Sequence, residues 1–412
     1  MRATSVLRVL LALQQTRVLG FDFDHEGLVV DVAPTWRVGR CSGCGGKVSG
    51  CYDRRERRWR HLDLGGIKTH LRYTARRLAC RRCGVTVEDV PWAEAGSRFT
   101  LPMETHVAYH AQRTDRTTVV ELLRVAWRTV GTIVRRFVRR HRERTGDPLE
   151  GLRIIGIDEL SYRRHHEYVT TVVDHERGVV VWAGEGKSAD TLNEFFKALG
   201  PERCKKLEAV TIDMSGAFIK AVSEASPQAQ IIFDRFHVQR LAHQAVDEVR
   251  REEVRKAKAA DKSKLKHTRW ALQKNPWNLT SLQRGKLAEL EQSNTPIYRA
   301  YLLKESLLGI LDRRQINVAG RLLDEWLGWA RASKLPPFVK LANTVDAHRD
   351  GILAYVRTRL NNGRIEGLNG KARVVTRRAF GFHSTSALIA MLFLCCGGVP
   401  AHPAHIFPFW TH

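Results

Sequence analysis

The apolar positions of the chain change period several times, and each change predicts a new element. Strand-like residues continue to Val32, and Ile67-Lys68-Thr69-His70-Leu71-Arg72-Tyr73 alternates apolar with polar residues, the period of a half-buried strand. From Leu101 to Arg144 the recurrence is helical. Val119, Leu122, Leu123 and Ala126 share a face, a break is expected around Gly131, and Ile133, Val134, Phe137 and Val138 resume the pattern, which predicts a helix-turn-helix. Gly146-Asp147-Pro148 ends that segment. Three antiparallel strands are expected next, at Arg153 to Asp158, Tyr168 to Val173 and Val179 to Ala183. Ser188 can then cap a helix with Leu192, Phe195, Phe196 and Leu199 on one face. A fourth strand at Ala209 to Asp213, another helix and a strand at Gln230 to Phe233 complete a β-β-β-α-β-α-β order, which belongs to a mixed sheet with helical layers.

From about Leu241 to Tyr355 the chain reads almost wholly helical and highly charged, with Trp270, Trp277, Trp326 and Trp329 along it. A last helical stretch, roughly Arg357 to Arg378, carries Glu366 and would pack back on the sheet. The apolar segment from Ser386 to Val399 is too short to span a bilayer and reads as a packed terminal helix. The expected class is α+β and multi-domain, with divisions at 1–95, 96–148, 149–240, 241–355 and 356–412.

Charge narrows the partner. The 68 Lys and Arg against 43 Asp and Glu leave a net charge of +25, which points to a polyanion, and nucleic acid comes first. A membrane surface would need a hydrophobic anchor or lipidation motif, and neither is found. No cleavage site follows the apolar N-terminal residues, so the eight cysteines are expected in a reducing compartment, where metal binding outranks disulfide formation. Two Cys-x-x-Cys knuckles, Cys41/Cys44 and Cys80/Cys83, can supply four thiolates to a structural Zn²⁺ and staple a small β unit. Cys51, His61 and His70 are competing ligands. Between and beyond the knuckles, Arg54, Arg55, Arg57, Arg58 and Arg60 surround Trp59, and Arg135, Arg136, Arg139 and Arg140 load the second helix of the helix-turn-helix. Phosphate contact with double-stranded DNA is their expected use.

Asp158 and Asp213 each end a short apolar run, so both should emerge side by side at the ends of strands. Carboxylates suit the hard ions Mg²⁺ and Mn²⁺, and a two-metal phosphodiester site requires a third acid from elsewhere. Glu366 is the candidate, because Glu366, Asn369, Arg373 and Arg377 fall on one helical face and set an acid beside a basic stripe.

The knuckles, Gly156-Ile157-Asp158-Glu159, Thr211-Ile212-Asp213-Met214-Ser215, Asp234-Arg235-Phe236-His237 and Asn362-Gly363-Arg364-Ile365-Glu366-Gly367-Leu368-Asn369 together resemble the ISL-three family of bacterial insertion-sequence transposases over nearly the whole chain. The resemblance implies a zinc ribbon and helix-turn-helix, followed by a ribonuclease-H-like catalytic core interrupted by an all-helical insertion domain. It places an Asp, Asp, Glu triad on Asp158, Asp213 and Glu366. It implies binding of the element's terminal inverted repeats, metal-dependent cleavage and strand transfer into target DNA. It also implies a homodimer or larger assembly on paired ends, in the cytoplasm at the bacterial nucleoid. Asp234 and His237 resemble a pair that lies near the catalytic site in related transposases; alternatively Asp234 pairs with Arg235 or Arg240 and His237 packs within its helix. Two other readings are a DNA-binding regulator, which a missing acid would mark, and a nuclease that cuts without joining. All three acids are present, and the zinc module, helix-turn-helix and large helical stretch favour an enzyme that recognises specific ends.

Overall fold

The computed structural model describes residues 3–163, 167–257, 265, 267–293, 295–360, 363–379, 382 and 384–402. The chain forms two compact units, one from Met1–Thr145 with Arg377–His412 and one from Gly146–Thr376.

In the first unit, helix α1 (Ala3–Leu11) leads into strands β1 (Thr16–Asp24) and β2 (Gly27–Pro34), the short β3 (Gly39–Arg40) and β4 (Lys47–Val48), then β5 (Cys51–Leu64), β6 (Ile67–Cys80) and β7 (Gly84–Val87). The main sheet runs β1-β2-β6-β5, with β7 on β6; β2 and β6 are parallel and the other pairs antiparallel. The alternation seen at Ile67–Tyr73 thus belongs to a longer strand. The turn that leads into it from β5 uses Gly65 and Gly66 at positive φ, where a side chain would be strained. Leu28, Val30, Val32, Leu71 and Trp59 fill the core face, and Trp59 meets Trp92 edge-on with ring centroids 5.6 Å apart.

Helices α2 (Leu101–Arg113), α3 (Arg116–Leu123) and α4 (Trp127–Thr145) follow. Thr100 and Asp115 cap the first two through the amides of Met103 and Thr118. The break expected at Gly131 is instead at Arg124, which takes the left-handed conformation (φ 51°), and Gly131 lies within α4. A glycine inside a helix costs only about 1 kcal/mol, so it does not end one whose Val130, Ile133, Val134, Phe137 and Val138 are buried.

The second unit opens with β8 (Ile154–Arg163), β9 (Glu167–Asp174) and β10 (Val179–Glu185), then α5 (Ala189–Leu199), α6 (Pro201–Cys204), β11 (Ala209–Ile212), α7 (Gly216–Ala225) and β12 (Gln230–Phe233). The sheet order is β10-β9-β8-β11-β12; the first three strands are antiparallel, and β8, β11 and β12 are parallel. Ser188 caps α5 as expected, accepting from the Thr191 amide.

Helices α8 (Arg235–Lys256), α9 (Arg269–Gln273), α10 (Ser281–Ser293), α11 (Thr295–Leu311), α12 (Ile316–Ala332), α13 (Pro336–Ala347) and α14 (Arg349–Thr358) follow, and their apolar faces join the core built on the sheet. Gly351 lets α14 approach β12, since a Cβ there would fall 2.4 Å from the Phe233 ring. The single helix expected from Arg357 to Arg378 is interrupted. Arg359 at φ 56° ends α14, its guanidinium donating to the carbonyls of Leu311 and Asp312, and α15 (Gly363–Arg378) begins afresh. The last helix, α16 (Thr385–Cys396), packs on α2 and α4 in the first unit.

Candidate active site and metal centre

The parallel register of β8, β11 and β12 aligns Val210 with Ile155, and Ile212 with Phe233. An aspartate therefore follows the paired parallel stretch of each strand: Asp213 just after β11, Asp234 just after β12, and Asp158 two residues past the last β8–β11 pair. Strand β8 does not end there as expected but continues beside β9 to Arg163. Each is held by a local amide. Asp158 Oδ1 accepts from Glu159 N (2.7 Å), Asp213 Oδ1 from Ser215 N (2.9 Å), and Asp234 Oδ1 from Phe236 N (3.3 Å) as the cap of α8.

The electrostatics favour a cation. Burial pushes the Asp158 carboxyl above its ordinary range and the charge of Asp213 adds to this, while the Glu159 amide, His237 and Arg373 oppose it. Burial and the two aspartates also push Glu159 up to about 7, with Lys187 and Arg240 opposing. His237 Nε2 lies 3.9 Å from Asp234 Oδ2, and its buried Nδ1 has no hydrogen-bond partner. Arg235 turns away to Asp312. Asp158, Asp213, Asp234 and Glu159 offer the oxygen donors that a hard divalent ion takes, with the orphaned His237 nitrogen nearby, although no three of these side chains bring their ligand atoms close enough together here to form a ready-made metal group.

Helix α15 reaches this edge. The buried Asn369 donates from Nδ2 to Asp158 Oδ2 at 2.5 Å, joining residues 211 positions apart in the chain. Glu366 stands one turn earlier on the same helix and is exposed, as are Arg373 and Arg377. Asn361 and Asn362 of the preceding motif lie outside the described residues.

At the other end of the chain, four sulfurs gather. The Sγ atoms of Cys41, Cys44, Cys80 and Cys83 lie within 4.8 Å of one another, and among the described residues no other group of three or more His, Cys, Asp or Glu side chains is close enough to hold a metal ion. The knuckles sit between β3 and β4 and between β6 and β7. Gly43 makes the first compact, because a Cβ there would lie 3.1 Å from Cys83 Sγ. The Thr86 hydroxyl, 3.2 Å from Cys41 Sγ, brings that thiol down to about 6, whereas the neighbouring Cys44 pushes Cys83 up to about 12. Cys51 is exposed and donates to Asp53 O, and His61 Nδ1 bonds Thr100 Oγ1 instead of joining the cluster. Four clustered thiols in knuckle geometry are a structural zinc site.

The arginines divide. Arg54, Arg55 and Arg135 are exposed, Arg55 with only a loose 3.9 Å contact to Asp53, and Arg57 lies over the Trp59 ring. The others are already paired: Arg58 with Asp24 (2.6 Å), Arg60 with Asp63, Arg136 with Glu104 (3.3 Å), Arg139 with Glu94, and Arg140 with both Glu94 and Glu104. Glu104 is wholly buried, so Arg136 and Arg140 neutralise an interior carboxylate. Composition marks all of these side chains as basic, but only folding assigns their partners. Thr86 and Glu104 carry no such mark in the sequence.

No helix of the described chain is long and apolar enough to cross a membrane. Residues 155–392 match a family model described as a transposase, residues 37–83 the zinc finger of the transposases IS204/IS1001/IS1096/IS1165, and residues 88–138 the helix-turn-helix domain of transposase family ISL3. The chain is 39% identical to the transposase for insertion sequence element IS1557 of Mycobacterium tuberculosis, over 97% of this chain and 96% of that protein. It is 29% identical to the transposase for IS1001 of Bordetella parapertussis, over 86% and 88%.

Proposed function

Because the chain belongs to the ISL3 family of transposases, DNA-binding enzymes that cleave and join DNA with divalent metal ions, we propose that Asp158, Asp213 and Glu366 are its catalytic acids. One observation carries the assignment: Asp158 and Asp213 both follow the paired stretch of the neighbouring parallel strands β8 and β11, and the helix bearing Glu366 is bonded to Asp158 through Asn369. The fold around them is read as ribonuclease-H-like, and residues 241–355 as an insertion domain within it. Divalent ions, when bound by these acids, supply an activated attacking oxygen and stabilise the leaving oxygen.

The chain's own residues do the rest. Asn369 and the Glu159 amide fix the two oxygens of Asp158, and the Ser215 amide orients Asp213. Arg373 and Arg377, exposed on the helix of Glu366, are placed to hold phosphates of the cleaved strand. Asp234 and His237 border the site. Of the arginines expected to contact DNA in the N-terminal unit, Arg54, Arg55 and Arg135 are the ones left exposed to the terminal inverted repeats without a close acidic partner. Two copies of the chain, each holding one end, would act together on target DNA, in the cytoplasm at the nucleoid.

The test is cleavage of labelled DNA carrying the element's own ends. Glu366→Gln and Asp213→Asn should abolish metal-dependent release of a 3′-hydroxyl, which EDTA also stops, and should leave end binding within about twofold of wild type. Loss of binding in either variant would assign that acid to the fold instead.

A further inference from the structure

We propose that helix α1 and the edge strand β1 form the surface through which a second copy of this chain docks. The inference rests on the paired-copy reading above and gives it a location. Strand β1 pairs with β2 on one side and with no described strand on the other, so the amides and carbonyls of its alternate, outward-turned residues form an open row. Natural sheets usually blunt such an edge with proline, lysine or other charges, with a bulge, or by covering it. Thr16–Asp24 has no proline or lysine, and its one irregularity, between Val18 and Gly20, leaves Gly20–Asp24 in regular register with β2.

The side chains point the same way. Phe23 is 64% exposed, Leu19 60% and Phe21 43%; on α1, which packs on β1, Val9 is 71% exposed and Leu10 57%. Large apolar groups gathered over so short a stretch mark a contact surface.

Charge selects the occupant. In a chain of net charge +25, residues 3–34 carry only Arg8 and Arg17 against Asp22, Asp24, Glu26 and Asp31. Asp24 and Glu26 pair with Arg58, and Asp22 and Asp31 with Arg72, so this face is close to neutral. It offers DNA no surplus of cations, and two strongly cationic copies can approach here with less repulsion than elsewhere. A strand edge is also self-complementary. Antiparallel pairing about a twofold axis satisfies both edges at once, and it brings the Arg17 end of one strand to the Asp22 and Asp24 end of the other, twice. Asp22 keeps 52% exposure beside Arg72, so it remains open to a second arginine.

The test uses the full-length protein at micromolar concentration, analysed by size-exclusion chromatography with light scattering, alone and with a single-end DNA duplex. The wild type and a Leu282→Lys control, altered at an exposed apolar site on α10, should run at twice the chain mass. The Phe21→Lys/Phe23→Lys variant should run at the chain mass, bind one end, and fail to form paired-end complexes. If the variant stays dimeric, this surface is wrong and the paired-copy reading survives. If the wild type is monomeric both free and on DNA, both fall. Amide exchange in the wild type needs no variant: protection of β1 that rises with protein concentration supports the interface, and protection independent of concentration overturns it.

Discussion

Replacing Asn369 by Ala removes a single hydrogen bond from the candidate active site. The amide donates to an ionisable carboxylate that burial already makes reluctant to ionise, so its loss should push the Asp158 carboxyl further up. A hydrogen bond to a charged group contributes about 1.5–3 kcal/mol. Part of that will appear in folding, since Asn369 is buried, and the remainder in ion binding. Loss of an outer partner of a metal-holding side chain typically costs about 10- to 100-fold in metal affinity or activity. The assay is the rate of end cleavage, titrated with Mn²⁺ and with Mg²⁺ at several pH values, with metal binding followed by calorimetry. Asn369→Ala should need about tenfold more metal, and the acid limb of its pH profile should move to higher pH. Asn369→Asp, which sets a second anion against Asp158, should be worse than Ala at neutral pH and should recover partly in acid. An unchanged metal titration and acid limb, together with a lowered melting temperature, would mean that the bond merely holds α15 to the sheet.

Further consequences follow from the paired and buried groups. Glu104→Ala should destabilise the N-terminal unit by about 3 kcal/mol in a denaturant titration, because Arg136 and Arg140 would lose the buried carboxylate they neutralise. Stripping zinc with a chelator should unfold the cysteine module and abolish end binding while Asp158 and Asp213 remain intact; Cys80→Ser should do the same. Because Cys83 is pushed up to about 12, zinc binding must release protons and weaken as pH falls, and Thr86→Val should reduce affinity further, by about tenfold in a competitive titration. Lys304 is buried, donates to Leu272 O, and is held below its ordinary range by that burial. The unfolded chain therefore binds more protons in alkali, so wild-type stability should rise between the depressed lysine value and the ordinary one, and Lys304→Met should remove that rise when melting is followed from pH 7 to 10.5.

What the sequence by itself determined is local or periodic. Apolar runs ending in Asp158 and Asp213 predict strands at those places, because burial of successive apolar residues follows from strand geometry alone. The terminus is right at Asp213, whereas β8 continues past Asp158 to Arg163 because it goes on pairing with β9. The Cys-x-x-Cys pairs announce themselves by spacing, and Ser188 by its place before an amphipathic face. The turn before α4 escaped the pattern because it depends on the left-handed backbone of Arg124 and has no glycine signal; Arg359 breaks the later helix in the same way. Tertiary structure decided the partners. It left Cys51 and His61 out of the sulfur cluster, gave Arg136 and Arg140 to a buried glutamate, and brought Asn369 to Asp158 across most of the catalytic region. Such choices depend on which distant groups share a low-dielectric space, where an unpaired charge or polar atom is costly, and spacing along a chain does not encode that.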